Sequence, residues 1–197
     1  YSIGYTPEQL EIIVKQTNWI ELLTDKISRD AIPFPFKLDD SKYLISLPIK
    51  NNEKSGGIIR GRNISQLLQQ LTEGYNDTTN FDSLPIPFAC IATDMATNQK
   101  EVIRSGKLSE AMRASMAIPV VFTPLYSDKK VLIDGGFKDN LPIDVAKSMG
   151  ADIIIAIDAQ SELATSDKLQ AVPDVVNQLM LMICQSELDI DKIKQVD

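Results

Sequence analysis

Residues 151–158 read Ala-Asp-Ile-Ile-Ile-Ala-Ile-Asp, and they come directly after a short helix that is predicted to begin at Pro142 and to end at Gly150. A β-branched apolar run of this length is typical of a strand buried on both faces of a parallel sheet. A helix that leads into such a strand through so short a connection is an αβ unit. This segment therefore predicts an α/β architecture. A final helix is predicted from Pro173 to about Leu188.

The other elements follow from periodicity and capping signals. Thr6, Pro7 and Gln9 have the pattern of a capping box, which predicts that a helix begins there. Asn18 repeats the pattern before Trp19, whose apolar neighbours have helical spacing; this favours burial in the core over a membrane-facing patch. Strands are predicted over residues 41–50, 85–93, 101–105, 120–126 and 129–133. Helices are predicted over residues 108–116 and from a cap at Asn63 to near Gly74.

The composition excludes several classes of function. The chain has no histidine, so it cannot by itself supply a Ser-His-Asp triad, a Cys-His pair or a histidine-ligated metal. With 20 Lys and Arg against 27 Asp and Glu, the net charge is −7, and nucleic acid is not an expected partner. Cys90 and Cys184 lack metal-ligand spacing and are interpreted as buried free thiols. At ~150 residues per domain, the 197 residues predict one domain.

Asp134-Gly135-Gly136 is the candidate for chemistry, because it comes directly after the predicted strand Val131-Leu132-Ile133. In α/β sheets, functional side chains gather at the carboxyl ends of strands. Two glycines allow the chain to turn with positive φ and to approach another backbone closely. Taken alone, the tripeptide is better explained as an ordinary turn, and the case for Asp134 depends on the wider sequence.

Three segments that occur in a fixed order provide that wider context. They are Pro87–Asp94, then Leu108–Pro119 with Ala-Ser-Met-Ala-Ile-Pro at its end, then Val131–Pro142 with Asp-Gly-Gly inside it. Together they resemble the patatin-like phospholipases, specifically the bacterial branch, and the resemblance extends over nearly the whole chain. It implies a three-layer α/β/α fold with a mostly parallel central sheet. It also implies a lipid acyl hydrolase with a Ser-Asp dyad, in which Asp134 is the base and no cofactor or metal takes part.

The sequence departs from the family pattern at the nucleophile. The family carries its serine on a G-x-S-x-G turn and its oxyanion donors on a glycine-rich loop, and neither motif is complete in these 197 residues. Ser2 is rejected as the nucleophile because no strand precedes it. The resemblance therefore implies that the serine lies upstream of Tyr1. It further implies that residues 1–197 are the middle and C-terminal part of a single catalytic domain, truncated at both ends and inactive alone.

Supporting roles are predicted for residues around the candidate base. Gly135 and Gly136 form the turn, and Asn140 is expected to cap the following helix while it helps to fix that turn. Arg113 and Ser115 belong to the family pattern, and packing or positioning is expected of them rather than chemistry. Asp94, which ends a predicted strand, is expected to brace a neighbouring loop.

The resemblance also suggests partners and a location. A lipid or phospholipid ester is the expected substrate, a membrane surface is a candidate partner, and self-association through an incomplete sheet is expected. The alternative function is a non-catalytic binding or interaction module with the same fold. Similarity to exported members with an outer-membrane barrel favours a periplasmic or outer-membrane-associated location, with the cytoplasm as the alternative.

Overall fold

The computed structural model of the protein describes residues 1–25, 57–75, 77–127, 129–159, 161–185 and Val196. The strand predicted over residues 41–50 lies outside the described residues. Within them, the helices are α1 (Pro7–Gln16), α2 (Trp19–Thr24), α3 (Arg62–Leu71), α4 (Leu108–Ser115), α5 (Ile143–Ser148) and α6 (Val172–Cys184). The strands are β1 (Gly57–Ile59), β2 (Cys90–Asp94), β3 (Gln99–Ile103), β4 (Val120–Phe122), β5 (Leu125–Ser127) and β6 (Lys130–Asp134).

The main sheet has four strands in the order β3-β2-β6-β5, and every neighbouring pair is antiparallel. The other described pairing, β1 with β4, is parallel. The expectation of a mostly parallel sheet is therefore not met by the described strands. For two of the three pairs, the physical reason is the length of the connections. Only a few residues join β2 to β3 and β5 to β6, whereas a parallel pair needs a crossover of a dozen or more residues.

The strand predicted over residues 151–158 is wrong for the described structure. Ile153, Ile155 and Ile157 are 74%, 84% and 80% exposed, whereas Ile154 between them is buried. Burial thus alternates with the period of a strand, but no described strand pairs with this segment. A strand is defined by its ladder of hydrogen bonds, and an apolar pattern alone cannot supply the neighbour. Ile154 instead packs against Leu141 and Ile143.

The helix starts test the capping predictions one by one. The capping box of Thr6 is confirmed, since the Thr6 hydroxyl and the Gln9 side chain each accept the other residue's N–H. Asn63 does not cap α3, whose N-cap is Gly61 in the left-handed region. The cap comes from outside the helix, because the Asp25 carboxylate accepts the N–H groups of Gly61 (2.6 Å) and Asn63 (3.0 Å). This contact joins α2 to α3.

The expectation that the apolar residues of α2 lie in the core is also wrong for its first turn. Trp19 and Ile20 are exposed. The indole N–H of Trp19 donates to the carbonyl of Val14 in α1, 2.9 Å away, so the ring lies against the preceding helix. A short amphipathic helix buries a face only where another element covers it.

Helix α4 packs on the main sheet through small residues. Ala114 of α4 meets Ala92 of β2 and Leu132 of β6, and all three are buried. A second cluster around Phe81 and Leu108 extends this core. Because alanine allows close approach, the end of α4 lies near the end of β6. The helix and the sheet together position the residues that follow β6.

Val120 carries a strained backbone and provides a first testable prediction. Its φ of +69° is unusual for a β-branched residue, and the left-handed region costs about 1–2 kcal/mol for an L-residue. We expect Val120→Gly to leave the free energy of unfolding unchanged or to raise it by up to about 1 kcal/mol, because the relieved strain offsets the entropic cost of glycine; urea denaturation measures this. The matched control is Val121→Gly, because Val121 lies in the same strand without a positive φ; it should lower stability by about 1 kcal/mol. Equal destabilisation by the two variants would contradict strain at Val120.

Candidate functional site

Asp134 is the last residue of β6 and is held by three parts of the fold. Its N–H donates to the carbonyl of Ala117, 3.0 Å away, in the connection between α4 and β4. Its neighbour in the sheet is Ala92 of β2. Its carboxylate Oδ1 accepts the N–H of Gly136 at 2.8 Å, which closes the 3-10 turn Gly135–Phe137. The sequence therefore fixes this carboxylate at a strand end, as predicted from the Asp-Gly-Gly pattern.

The two glycines after Asp134 are required by close approach rather than by positive φ. A Cβ at Gly135 would come 2.3 Å from the carbonyl oxygen of Ile91 in β2. A Cβ at Gly136 would come 2.9 Å from Oδ1 of Asn140 and 3.2 Å from Oδ1 of Asp134. Neither glycine has a φ in the left-handed region. The predicted close backbone approach is confirmed, and the predicted positive φ is wrong.

A cavity of about 400 Å³ opens beside Asp134. Its walls come from the approach to β2, the end of α4 and the turn after β6, and they include Phe88, Ile91, Ser115, Asp134, Asp139 and Asn140. Burial raises the pKa of Asp134 above its usual value, and the hydrogen bond from the Gly136 N–H offsets part of that rise. A carboxylate with a raised pKa is a stronger base than a free one. This geometry can accept a proton from a group placed in the cavity.

Ser115 and Arg113 are two residues apart in α4, but their side chains have different surroundings. Ser115 contributes to the wall of the Asp134 cavity. Arg113 is buried and stacks on the ring of Phe122, 5.1 Å from its centroid. Its Nη2 donates to the carbonyl oxygens of Arg60 (3.2 Å) and Thr123 (3.0 Å). These contacts join α4 to β1 and β4, which supports a packing role for Arg113.

Asn140 does not have its predicted capping role, whereas Asp94 has its predicted bracing role. Asn140 does not cap α5, because Pro142 occupies the N-cap position without a side-chain cap, and Asn140 lies two residues too early. Its Oδ1 lies beside the Gly136 turn, 2.9 Å from where a Cβ on Gly136 would be, and its role in fixing that turn stays a prediction. Asp94 braces its loop as predicted: its carboxylate accepts the hydroxyl of Thr97 and the N–H groups of Ala96 and Val131. The Thr97 hydroxyl is the main reason that the pKa of Asp94 is lowered.

Two features of the site were not predicted from the sequence. The ammonium of Lys100 on β3 contacts the carboxylates of Asp139 (2.7 Å) and Asp144 (2.6 Å). Asp139 and Lys100 are 39 residues apart, and no sequence signal links them. In addition, Cys184 at the end of α6 lies beside the turn, since a Cβ at Gly136 would come 3.5 Å from its Sγ.

The two thiols near Asp134 should differ strongly in reactivity. Burial raises the pKa of Cys90 to about 12, which suppresses the reactive thiolate, whereas Cys184 is only partly buried. We expect iodoacetamide at pH 8 to modify Cys184 and to modify Cys90 at least ~100-fold more slowly, as measured by peptide mass spectrometry. Labelling in urea is the control and should modify both. Equal rates in the folded chain would contradict the burial of Cys90.

In the ranges that the structure describes, His, Cys, Asp and Glu side chains form no group of three or more that could hold a metal ion. In the same ranges, no helix combines the length and the apolar character that a membrane crossing requires.

The chain was also compared with known proteins. A family model described as patatin-like phospholipase matches residues 5–147. An uncharacterized NTE family protein of Mycobacterium tuberculosis is 33% identical over 103 residues, which is 52% of this chain and 28% of the relative. Patatin-like phospholipase domain-containing protein 7 of Mus musculus is 42% identical over 82 residues, which is 41% of this chain and 6% of the relative. In both relatives the match spans less than a third of the relative's own length.

Proposed function

This chain belongs to the patatin-like phospholipase family, and from that premise we propose that it forms part of the catalytic domain of a lipid acyl hydrolase. The single observation that supports this proposal most strongly is Asp134, a partly buried carboxylate at a strand end beside an open cavity, with its pKa raised by burial. The assignment to the bacterial branch stays a prediction, because the relatives include both mycobacterial and mouse proteins.

In the proposed reaction, Asp134 is the base of a Ser-Asp dyad. It takes the proton of a serine hydroxyl as the serine oxygen attacks the ester carbonyl carbon, and it returns that proton to the leaving alcohol. Water then attacks the carbonyl carbon of the acyl-enzyme while Asp134 accepts a proton from that water. Asp134 passes this proton to the serine oxygen as the acyl–serine bond breaks, which releases the fatty acid and restores the serine hydroxyl. The chemistry requires no metal and no cofactor.

We propose further that neither Ser2 nor Ser115 is the nucleophile. Residues 1–197 are then the middle and C-terminal part of a single catalytic domain, and they lack the nucleophile. Ser2 lies in a turn ahead of α1, and a capping box at Thr6 separates that turn from the helix. Ser115 lies in the last turn of α4, whereas the family presents its serine on a sharp strand-to-helix turn.

The purified 197-residue chain is therefore expected to hydrolyse p-nitrophenyl butyrate no faster than buffer. A dyad without its nucleophile loses most of its rate enhancement. Release of p-nitrophenol, followed at neutral pH, measures this directly. Hydrolysis that Ser2→Ala or Ser115→Ala abolishes would show that the chain supplies its own nucleophile. Hydrolysis that survives both substitutions and also survives Asp134→Asn would contradict the proposed site.

A further inference from the structure

Asn140 carries a side-chain amide that makes no hydrogen bond within the described ranges, although the residue is half-buried. The following helix does not use it, because Pro142 is the N-cap of α5. An amide has two N–H donors and one carbonyl acceptor. Leaving such groups without partners in a partly buried place is unfavourable. The position of Asn140 therefore points to a partner that the cavity receives from outside.

The Asn140 amide lies next to the proposed base. Oδ1 of Asn140 and Oδ1 of Asp134 are 2.9 Å and 3.2 Å from one point, the ideal Cβ position of Gly136. Both residues belong to the wall of the cavity of about 400 Å³. Oδ1 of Asp134 accepts the Gly136 N–H at 2.8 Å, so the turn is closed without the Asn140 amide. The carboxyl group and the amide thus flank one glycine and line the same space.

The rest of the cavity wall has the composition of a binding site. Such sites are mostly apolar, with a few polar groups that fix the orientation of the ligand. The apolar part of this wall includes Phe88, Ile91 and Pro142. Of the two acidic residues in the wall, Asp139 is bonded to Lys100 at 2.7 Å. The described wall contains no Lys or Arg, so a side chain that donates a hydrogen bond to a ligand here is a neutral one, such as Asn140.

We propose that Asn140 is a specificity-determining residue, whose side-chain amide donates a hydrogen bond to an oxygen in the alcohol portion of the ester. The inference rests on the proposed function, in which Asp134 returns a proton to the leaving alcohol, so that the alcohol portion lies beside Asp134 and Asn140. The acceptor is a hydroxyl oxygen in an acylglycerol and a phosphate or ester oxygen in a glycerophospholipid. Asn140 thus favours esters of glycerol and of its derivatives over esters of simple alcohols.

The test is a proton–nitrogen NMR titration of the 197-residue chain with monohexanoylglycerol, with dihexanoylphosphatidylcholine below its critical micelle concentration, and with methyl hexanoate. The alcohol portion of methyl hexanoate has no further oxygen. Either or both glycerol-based esters should shift the side-chain N–H signals of Asn140, and the one that does so identifies the acceptor. Asn140→Leu should raise the Kd of that ester about 5-fold and leave the Kd of methyl hexanoate unchanged. The matched control is Asn177→Leu, because Asn177 is exposed on α6.

Equal weakening of all three esters by Asn140→Leu would overturn the proposal, because a merely structural role affects every ligand of the cavity alike. Unchanged Kd values, or no binding of either glycerol-based ester to the unmodified chain, would overturn it as well. If Asn140→Leu does not fold, the N–H signals of Asn140 in the unmodified chain decide, and an equal response to methyl hexanoate overturns the proposal. The titration needs no turnover, so selective binding beside a fully active Asp134→Asn enzyme would contradict the proposed function alone.

Discussion

Asp134→Asn is expected to lower kcat for a phospholipid by ~100-fold or more in the active protein that supplies the serine, while the fold is retained. Asparagine keeps the size of the side chain, and its Oδ1 can still accept the Gly136 N–H that closes the turn at 2.8 Å. It cannot take a proton from the nucleophile. Steady-state release of fatty acid measures the loss. The matched control is Asp152→Asn, since Asp152 is exposed and should leave kcat unchanged.

The same substitution has a pH signature. Because burial raises the pKa of Asp134, kcat/KM of the unmodified enzyme should fall on the acid side at a pH above the ~3.9 of a free aspartate. The dependence of stability on pH has the opposite sign to that of a salt-bridged carboxylate. The native state favours protonated Asp134, so the free energy of unfolding decreases as pH rises from the pKa of Asp134 in the unfolded chain through its raised pKa in the native state. The stability of Asp134→Asn relative to the unmodified chain should therefore be higher at pH 7 than at pH 3, because the variant lacks the cost of burying an ionised carboxylate. Full activity of the variant would make Asp134 a turn residue and favour the non-catalytic module.

Gly135→Ala should be among the most destabilising single substitutions in the chain, at about 3 kcal/mol or more. The new Cβ would lie 2.3 Å from the Ile91 carbonyl oxygen, and both partners are backbone that cannot rotate away. Moving them would separate β6 from β2 and displace Asp134. Urea denaturation monitored by circular dichroism gives the change in unfolding free energy.

Gly150→Ala is the matched control for this prediction. Gly150 has a φ of +91°, and no described atom lies within 4 Å of its ideal Cβ. Alanine there incurs only the backbone cost of about 1 kcal/mol. Comparable losses at the two positions would show that Gly135 is not sterically required.

The sequence predicts those features that depend on neighbours along the chain. The capping box of Thr6, the turn after Asp94 and the strand that ends at Asp134 all depend on residues within a few positions of one another, and all three are present. A mostly parallel sheet was expected from the family resemblance and from the apolar run at 151–158, although the short turns between β2 and β3 and between β5 and β6 were the better guide.

The failures concern contacts between residues that are distant in sequence. The Asp25 cap on α3 spans 38 residues, and the Lys100 contact with Asp139 spans 39. A lysine on an edge strand is usually a solvated charge, so nothing in the sequence marked Lys100 as part of the site. Cys184 was interpreted as a core thiol because its segment is apolar, yet the end of α6 brings it to the Gly136 turn. Pattern indicates which residues can be buried, and only the tertiary fold decides their partners.

The alternating isoleucines at 153, 155 and 157 affect how readily the chain aggregates in solution. They form a short apolar window of high β propensity without proline, which is the composition that favours aggregation. The aspartates at 152 and 158 flank this window as gatekeeper charges. At pH 7 the net charge of −7 keeps copies of the chain apart. Near the isoelectric point of about 4.7 that repulsion vanishes, so solutions of this chain should be clear above neutrality and turbid in mild acid.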